Sequence, residues 1–196
     1  MVDSDTRHGP ARRQVLADPD VTAVMQQGWQ RLHPDFDVAP ISVTQRMLRG
    51  ARIILERSDA HLATFGLTRG ELDILSALRR ANGPLGPTEL TDLLLASPPA
   101  VTKRLQALKS RRLIARHADS GDRRRSAVSI TPAGTLLVDQ VVPAQLAIEA
   151  ELLAGLADDQ RQQLAGLLHQ LVGGWEQQRY HRDRDDRGVW PPAIAP

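Results

Sequence analysis

Nine lysine and arginine side chains and only two acids fall between residues 97 and 125, a local charge of +7 in a chain whose remaining residues sum to −5. The cations are Lys103, Arg104, Lys109, Arg111, Arg112, Arg116, Arg123, Arg124 and Arg125; the acids are Asp119 and Asp122. A basic island on an acidic body is the electrostatic footprint of a surface that binds a polyanion. Spacing refines the reading. Val101, Leu105 and Leu108 recur at i, i+4, i+7 as one apolar stripe of a helix, and Lys103, Arg104 and Lys109 are expected to face outward from it. Arg123, Arg124 and Arg125 are consecutive and follow Ser120-Gly121, which places them in a turn.

The elements that must hold these side chains are legible from caps and periodicity. Thr68-Arg69-Gly70-Glu71 has capping-box spacing and opens a helix to about Arg80, ended by Asn82-Gly83-Pro84. Gly86, with Pro87 and Glu89 behind it, opens a short helix, and Ser97 with Pro98 opens the next. Two short helices joined by a tight turn, the second one basic, form a helix-turn-helix. Residues 113–116 and 127–130 read as strands on either side of the arginine turn, a basic hairpin or wing. Thr131-Pro132 begins a long helix to about Gly155 that contains Pro143. Asp158 caps a last helix with apolar residues at 164, 167, 168, 171, 172 and 175, a stripe that needs a partner surface. Upstream, Val21–Arg31 and Ile41–Phe65 read as helices flanking the Pro/Asp-rich stretch 33–40.

The predicted fold is mostly α with a small β-hairpin wing: a winged helix-turn-helix domain plus a helical dimerisation region. Residues 1–20 are expected to be a loose tail and 21–65 N-terminal helices. Residues 66–132 form the winged helix-turn-helix, 133–178 the C-terminal helices and 179–196 a charged, Pro-rich tail. A helix fits the major groove of DNA, where every base pair shows its own donor and acceptor pattern. Thr102, Lys103 and Arg104 stand in the first two turns of the basic helix, with Arg104 suited to guanine and Thr102 to a base or phosphate. Ser97 and the helix start can hold a phosphate, although Pro98 and Pro99 remove two donors, and Lys109 extends the contact. Arg123–Arg125 reach toward the minor groove, whose negative potential attracts arginine, with Asp122 as their orienting partner. Double-stranded DNA is the expected partner.

The residues Pro87-Thr88-Glu89-Leu90, Val101-Thr102-Lys103-Arg104-Leu105, Leu113-Ile114-Ala115-Arg116, Asp122-Arg123-Arg124 and Ile130-Thr131-Pro132-Ala133-Gly134 resemble the MarR family of bacterial transcription regulators, a likeness that extends over roughly residues 41–175. The resemblance implies a homodimer whose terminal helices interleave over a pseudo-palindromic operator, more often a repressor than an activator. It also implies recognition contacts at Thr102, Lys103 and Arg104 and wing contacts at Arg123–Arg125, with Asp122 in support. Where the family has a glycine before the first strand, this chain has Arg112.

Trp29, Pro34–Asp37 and Glu71–Leu75 are similar to a branch with an extra N-terminal helix that includes urate-responsive members. That likeness implies Trp29 as the wall of an anion pocket; its other reading is packing of the extra helix. The branch has an arginine where this chain has Asp92, an acid that argues against urate. The family's ligand cleft implies Arg46, Arg49, His61 and Phe65 as lining residues for a small anionic or aromatic effector. Arg46, Arg49 and Arg52 share one helical face, which can hold an anion or face solvent.

Composition closes several other routes. With 196 residues, 41% hydrophobic and 24% charged, the chain has globular proportions. No apolar run approaches a membrane span and the N-terminus lacks a signal peptide's apolar segment, so a soluble cytoplasmic protein without a membrane partner is expected. The absence of cysteine excludes disulfides, thiolate zinc sites, a cysteine nucleophile and thiol-based sensing. The six histidines (His8, His33, His61, His117, His169, His181) show no metal-ligand spacing. There is no phosphate-cradling glycine loop and no Gly-x-Ser-x-Gly, so no metal, no cofactor and no catalytic site are expected. The remaining alternative is a degenerate winged helix, a ligand-binding or anti-regulator dimer that does not touch DNA. Arg123–Arg125 and both lysines stand against it, because such a copy has no use for an exposed basic face.

Overall fold

Caps written in the sequence set where most elements begin. The computed structural model describes residues 20–81, 83–118 and 126–187, except for the side chains of 118, 126 and 179–187. The order is α1 (Val21–Leu32), α2 (Ile41–Ala63), α3 (Arg69–Arg80), α4 (Pro87–Leu93), α5 (Pro98–Ser110), β1 (Ile114–Ala118), β2 (Ser126–Ile130), α6 (Pro132–Leu152) and α7 (Asp158–Arg187). This is the expected mostly helical fold with a two-stranded wing. At α1 the Asp20 carboxylate accepts from the Ala23 amide; at α3 both bonds of the Thr68/Glu71 capping box form. Thr131 Oγ1 likewise accepts from the Gly134 amide at the start of α6. Ser97 occupies the N-cap of α5 without a side-chain cap bond. The last helix runs to Arg187 rather than ending near 178, so the part of the expected tail up to 187 is helical. Among the described residues no helix is long and apolar enough to cross a membrane.

Three helix ends share one geometry. After α2, Gly66 donates to Ala63 and Leu67 to Leu62; after α4, Leu95 donates to Asp92 and Ala96 to Thr91; after α5, Arg112 donates to Lys109 and Leu113 to Leu108. Each is a Schellman closure, which needs a left-handed residue at its pivot. The pivots are Gly66 (φ 62°), Leu95 (φ 48°) and Arg112 (φ 57°). Only the first is a glycine. At the other two a Cβ crowds the following carbonyl, a conformation that side chains rarely adopt.

The chain divides into two compact units at Ile54/Leu55. In the first, Thr22 and Val38 are buried. In the second, α3, α4, α5, the hairpin and α6 enclose one core, with Leu62, Ile74, Leu75, Leu90, Leu108, Val101, Val128, Val138 and Val141 all sealed from solvent. The antiparallel hairpin pairs Ile114 with Ile130 and Arg116 with Val128. Leu85, just before α4, adds a bridge to Val128 through reciprocal bonds of 2.9 and 2.8 Å. The base of the hairpin is tied where Thr131 donates its amide to Leu113 O (3.0 Å) and its hydroxyl to Arg112 O (2.8 Å). Gly134 lies directly against the Leu113 carbonyl, where a Cβ would overlap it.

Arg112→Gly should raise the melting temperature. Removing about 1–2 kcal/mol of left-handed strain outweighs the roughly 0.5–1 kcal/mol cost of a more flexible unfolded chain. Gly134→Ala should lower stability by about 1–3 kcal/mol, because backbone and not a movable side chain blocks the added carbon. Denaturant titration of both variants checks the signs, and a destabilised Arg112→Gly would refute the strain assignment.

Candidate nucleic-acid interface

Helix α5 buries Val101, Leu105 and Leu108 and leaves Thr102, Lys103, Gln106 and Lys109 exposed. Thr102, Gln106 and Lys109 sit at i, i+4, i+7 and form the outer edge of a shallow groove between α5 and the hairpin. Leu105, Ile114 and Val128 line it, and Arg116 of β1 stands on its other side. Thus a threonine, an amide and two cations converge over an apolar floor. Sequence reading missed Gln106. Its signal was its place four residues after Thr102, which puts it on the same face. On the opposite face of the hairpin, His117 Nε2 is hydrogen-bonded to Ser129 Oγ at 2.7 Å.

The other basic residues divide by role. Arg104 does not face outward as expected. It is half-buried, and its guanidinium lies so close over Gly70 that a Cβ there would collide with it. The reason is helical arithmetic: residue 104 is three residues after Val101 and four before Leu108, on the flank of the buried stripe. Arg111 donates Nη1 to Gly66 O (2.6 Å) and Nη2 to Phe65 O (3.1 Å), closing the C-terminal carbonyls that follow α2. Ser97 is exposed, and its hydroxyl is not engaged as a cap. Asp122, Arg123, Arg124 and Arg125 lie outside the described residues.

The residues expected to line a ligand site fall in both units, and each group has its own surroundings. In the first, Trp29 is half-exposed and stacks on His33 (centroids 5.9 Å, 26°), which stacks on Phe36 (4.4 Å, 10°). Arg46 is held by Asp20 through bonds of 2.8 and 3.0 Å and also donates to Ser42 O, so it anchors the start of α1. The Arg46 hydrogen bonds, then the Ala23 amide, hold the Asp20 carboxyl below its ordinary value, and the charges of Arg46 and the exposed Arg49 add to this. In the second unit, His61 meets Phe65 edge-on at 5.3 Å, and His61 Nε2 is buried without a hydrogen-bond partner among the described residues.

Close to His61 in sequence, Ser58 and Asp59 belong to a polar cluster centred on Arg69. The Arg69 amide donates to Asp59 Oδ1 (3.1 Å), Nε to Asp73 Oδ1 (2.9 Å) and Nη1 to Glu149 Oε1 (3.1 Å) and Ser58 Oγ (3.4 Å). Gln145 Nε2 donates to the same Glu149 oxygen at 3.0 Å. Burial opposes the charge on Arg69, but the hydrogen bond and charge of Asp73, followed by those of Glu149, raise its pKa. The cluster joins α2, α3 and α6. Among the described residues no group of three His, Asp or Glu side chains can hold a metal ion.

Residues 65–125, from the α2–α3 corner through the expected wing, match the MarR family. The chain is 30% identical over 107 residues to the HTH-type transcriptional repressor MdtR of Bacillus subtilis, covering 55% of this chain and 68% of the relative. The chain belongs to the MarR family. It is therefore a winged helix-turn-helix, DNA-binding transcription regulator and not an enzyme. It is also similar to the HTH-type transcriptional regulator PecS of Dickeya dadantii, with 28% identity over 151 residues covering 76% of this chain and 90% of PecS. Among solved structures it resembles BpsR of Bordetella bronchiseptica, described with the regulation of its DNA binding by 6-hydroxynicotinic acid. The TM-score is 0.63 at 25% identity, covering 67% of this chain and 98% of that one.

The Asp20–Arg46 pair predicts a pH dependence with a definite sign. A carboxyl whose folded pKa is depressed contributes stability above its unfolded value, near 3.9, and that contribution is lost as pH falls through the lower folded value. Arg46→Ala should move the Asp20 carboxyl back toward the ordinary range in a carbon-detected NMR titration, with the Ala23 amide and Arg49 still holding it somewhat low. An unchanged titration would show that Arg46 is not what lowers it.

Proposed function

We propose that this chain is a repressor that binds a pseudo-palindromic operator as a homodimer and leaves it when a small anionic or aromatic ligand binds. The observation that carries the reading is the outward edge of α5, with Thr102, Gln106 and Lys109 facing Arg116 across a groove on the basic part of an otherwise acidic chain. Amide side chains suit adenine and hydroxyls suit bases or phosphates, so Thr102 and Gln106 read sequence. Lys103, Lys109 and the engageable Ser97 hydroxyl hold phosphates, and Arg123–Arg125, supported by Asp122, enter the flanking minor groove.

The second copy is called for by α7. This 30-residue helix has no buried residue among its described side chains, and Leu164, Leu167, Leu171 and Trp175 of its apolar stripe stand exposed. Helices draw their stability mainly from packing an apolar face, and a matching face on a second copy supplies it. A two-fold dimer places two copies of α5 about one helical turn, roughly 34 Å, apart. Support for an effector comes from the buried His61 Nε2 beside Phe65, which has no hydrogen-bond partner among the described residues, and from the ligand of the similar BpsR, an anionic heteroaromatic acid. Trp29 and Arg49 are the candidates offered by the first unit, since Arg46 is engaged by Asp20.

The test is fluorescence anisotropy on DNA from upstream of the chain's own gene, against a scrambled duplex, across a salt series. Nanomolar binding to the first alone is expected. Lys109→Ala and Arg124→Ala should each weaken it and lower the salt slope by about one. Addition of 6-hydroxynicotinate should release it if the effector resembles that of BpsR. Equal, weak binding to both duplexes, with no salt-slope change in either variant, would favour a winged helix that does not act on DNA.

Replacing Leu167 and Leu171 together by Asp should convert the dimer to monomer in sedimentation velocity and abolish tight operator binding, while α3–α6 stay folded. A variant that remains dimeric would remove α7 from the interface.

A further inference from the structure

Among the described cations of the basic island, the half-buried Arg104 and the exposed Arg111 turn their guanidinium groups onto the protein's own surface, and they do so as a matched pair. Arg104 on α5 and Arg111 at its C-cap are seven residues apart, two turns on one face and about 10 Å along the axis. Both reach the corner between α2 and α3, and each meets a glycine there. The Arg111 guanidinium bonds the Phe65 and Gly66 carbonyls and comes within 3.7 Å of where a Cβ on Gly66 would stand. The Arg104 guanidinium occupies the space a Cβ would need on Gly70. Gly66 and Gly70 thus form two seats, and the two arginines fill them in the opposite chain order.

We propose that Arg104 and Arg111 are positioning residues that set the angle at which α5 is presented to DNA, and that neither is itself a DNA contact. This rests on the DNA-binding reading above. The buried Val101, Leu105 and Leu108 seat α5 on the core through non-directional contacts; two polar anchors two turns apart add a directional tie that sets its tilt against the corner. The chemistry suits the task. The Phe65 and Gly66 carbonyls lie in the turn just past the end of α2, outside its hydrogen-bond ladder, so a planar, always-charged guanidinium bonding both makes a directional tie. Gly70 has no side chain to hold its seat apart from Arg104. Base readout tolerates little error in helix placement, so loosening either anchor costs sequence-specific affinity without removing a phosphate contact.

A duplex selected from a random library by the wild-type protein separates the outcomes. Arg111→Ala, Arg104→Ala and Gly70→Ala should each weaken binding to that duplex by about tenfold or more. The slope of log K against log salt should stay at the wild-type value, whereas Lys109→Ala lowers it by about one. Arg111→Lys, which keeps a charged donor but cannot bond both carbonyls in the same plane, should recover part of the loss. Gly70→Ala is decisive for the Arg104 seat, because it leaves every charge in place. Circular dichroism and melting confirm that each variant is folded, and Arg111→Lys and Gly70→Ala keep the test open if an alanine variant is not. A slope reduced by about one in Arg111→Ala or Arg104→Ala would make that residue a phosphate contact and overturn the proposal. So would wild-type affinity in Gly70→Ala together with Arg111→Ala. A wild-type protein that enriches no sequence would instead defeat the DNA-binding reading, and this inference with it.

Discussion

The carbonyl of Leu113 is the point on which the winged lobe turns. The chain leaves α5 through a left-handed residue at Arg112, buries Leu113 and enters β1 at Ile114. It comes back along β2, and Thr131 then donates its amide to that same carbonyl while Gly134 lies against it. Three elements are therefore registered by one peptide unit: the end of α5, the base of the hairpin and the start of α6. The hydroxyl of Thr131 binds one residue earlier, at Arg112 O, and also caps α6, so a single side chain serves both joints. Ile130-Thr131-Pro132-Ala133-Gly134 reads locally as a helix start, yet its spacing is dictated as much by a residue eighteen positions upstream of Thr131. The hydroxyl, the proline at the first helical position and the missing Cβ each answer a separate demand at this joint.

Counting charge located the basic region but could not assign its members. Lys103 and Lys109 project to solvent, Arg104 and Arg111 face the α2–α3 corner, and Arg112 sits at a position defined by backbone conformation rather than charge. The error over Arg104 was avoidable in principle. Its angular position on the helix lies beside Val101 and Leu108, and only its residue type suggested otherwise. Long side chains are ambivalent in this way: an arginine can cover a half-buried flank with its stem and place its head on backbone or on a neighbouring helix. Periodicity therefore tells where a Cβ points and leaves open where a guanidinium ends.

Much of the fold was legible because its signals are local. The Thr68/Glu71 box, the prolines at the first positions of α4, α5 and α6, and the alternation in β2 each involve residues a few positions apart. Two classes of feature escaped. The Schellman ends at Leu95 and Arg112 lack the glycine that normally announces them; at Leu95 nothing marked the turn, and at Arg112 only the family resemblance did. Ion pairs across the fold have no spacing to detect: Arg46 meets Asp20 twenty-six residues away, and Arg69 meets Glu149 eighty residues away. Both arginines were visible as charges, but the sequence left Arg46 open between an external anion and solvent because its internal partner has no spacing to mark it. The α5 groove lies between these cases. Thr102 and Lys109 were marked by type and position, while Gln106, equally well placed, carried no charge to draw notice.

The exposed stripe of α7 and the small interface of α5 belong to one energetic design in the proposed dimer. A helix whose apolar face finds no cover among the described residues would, in that dimer, stay folded by covering it on a second copy, so subunit association and helix stability would be the same event. A lone lobe offers one recognition helix and a short hairpin, too little for tight binding at physiological salt. Joining two lobes makes the second contact intramolecular and multiplies affinity without new contacts, provided the lobes keep the spacing of the half-sites. In the proposed mechanism that proviso is also the control point. A ligand need not break any bond to DNA; it need only favour a spacing in which both copies of α5 cannot seat at once. A hundredfold loss of affinity then takes about 2.7 kcal/mol of differential binding, within reach of one small molecule that distinguishes two arrangements of the same helices.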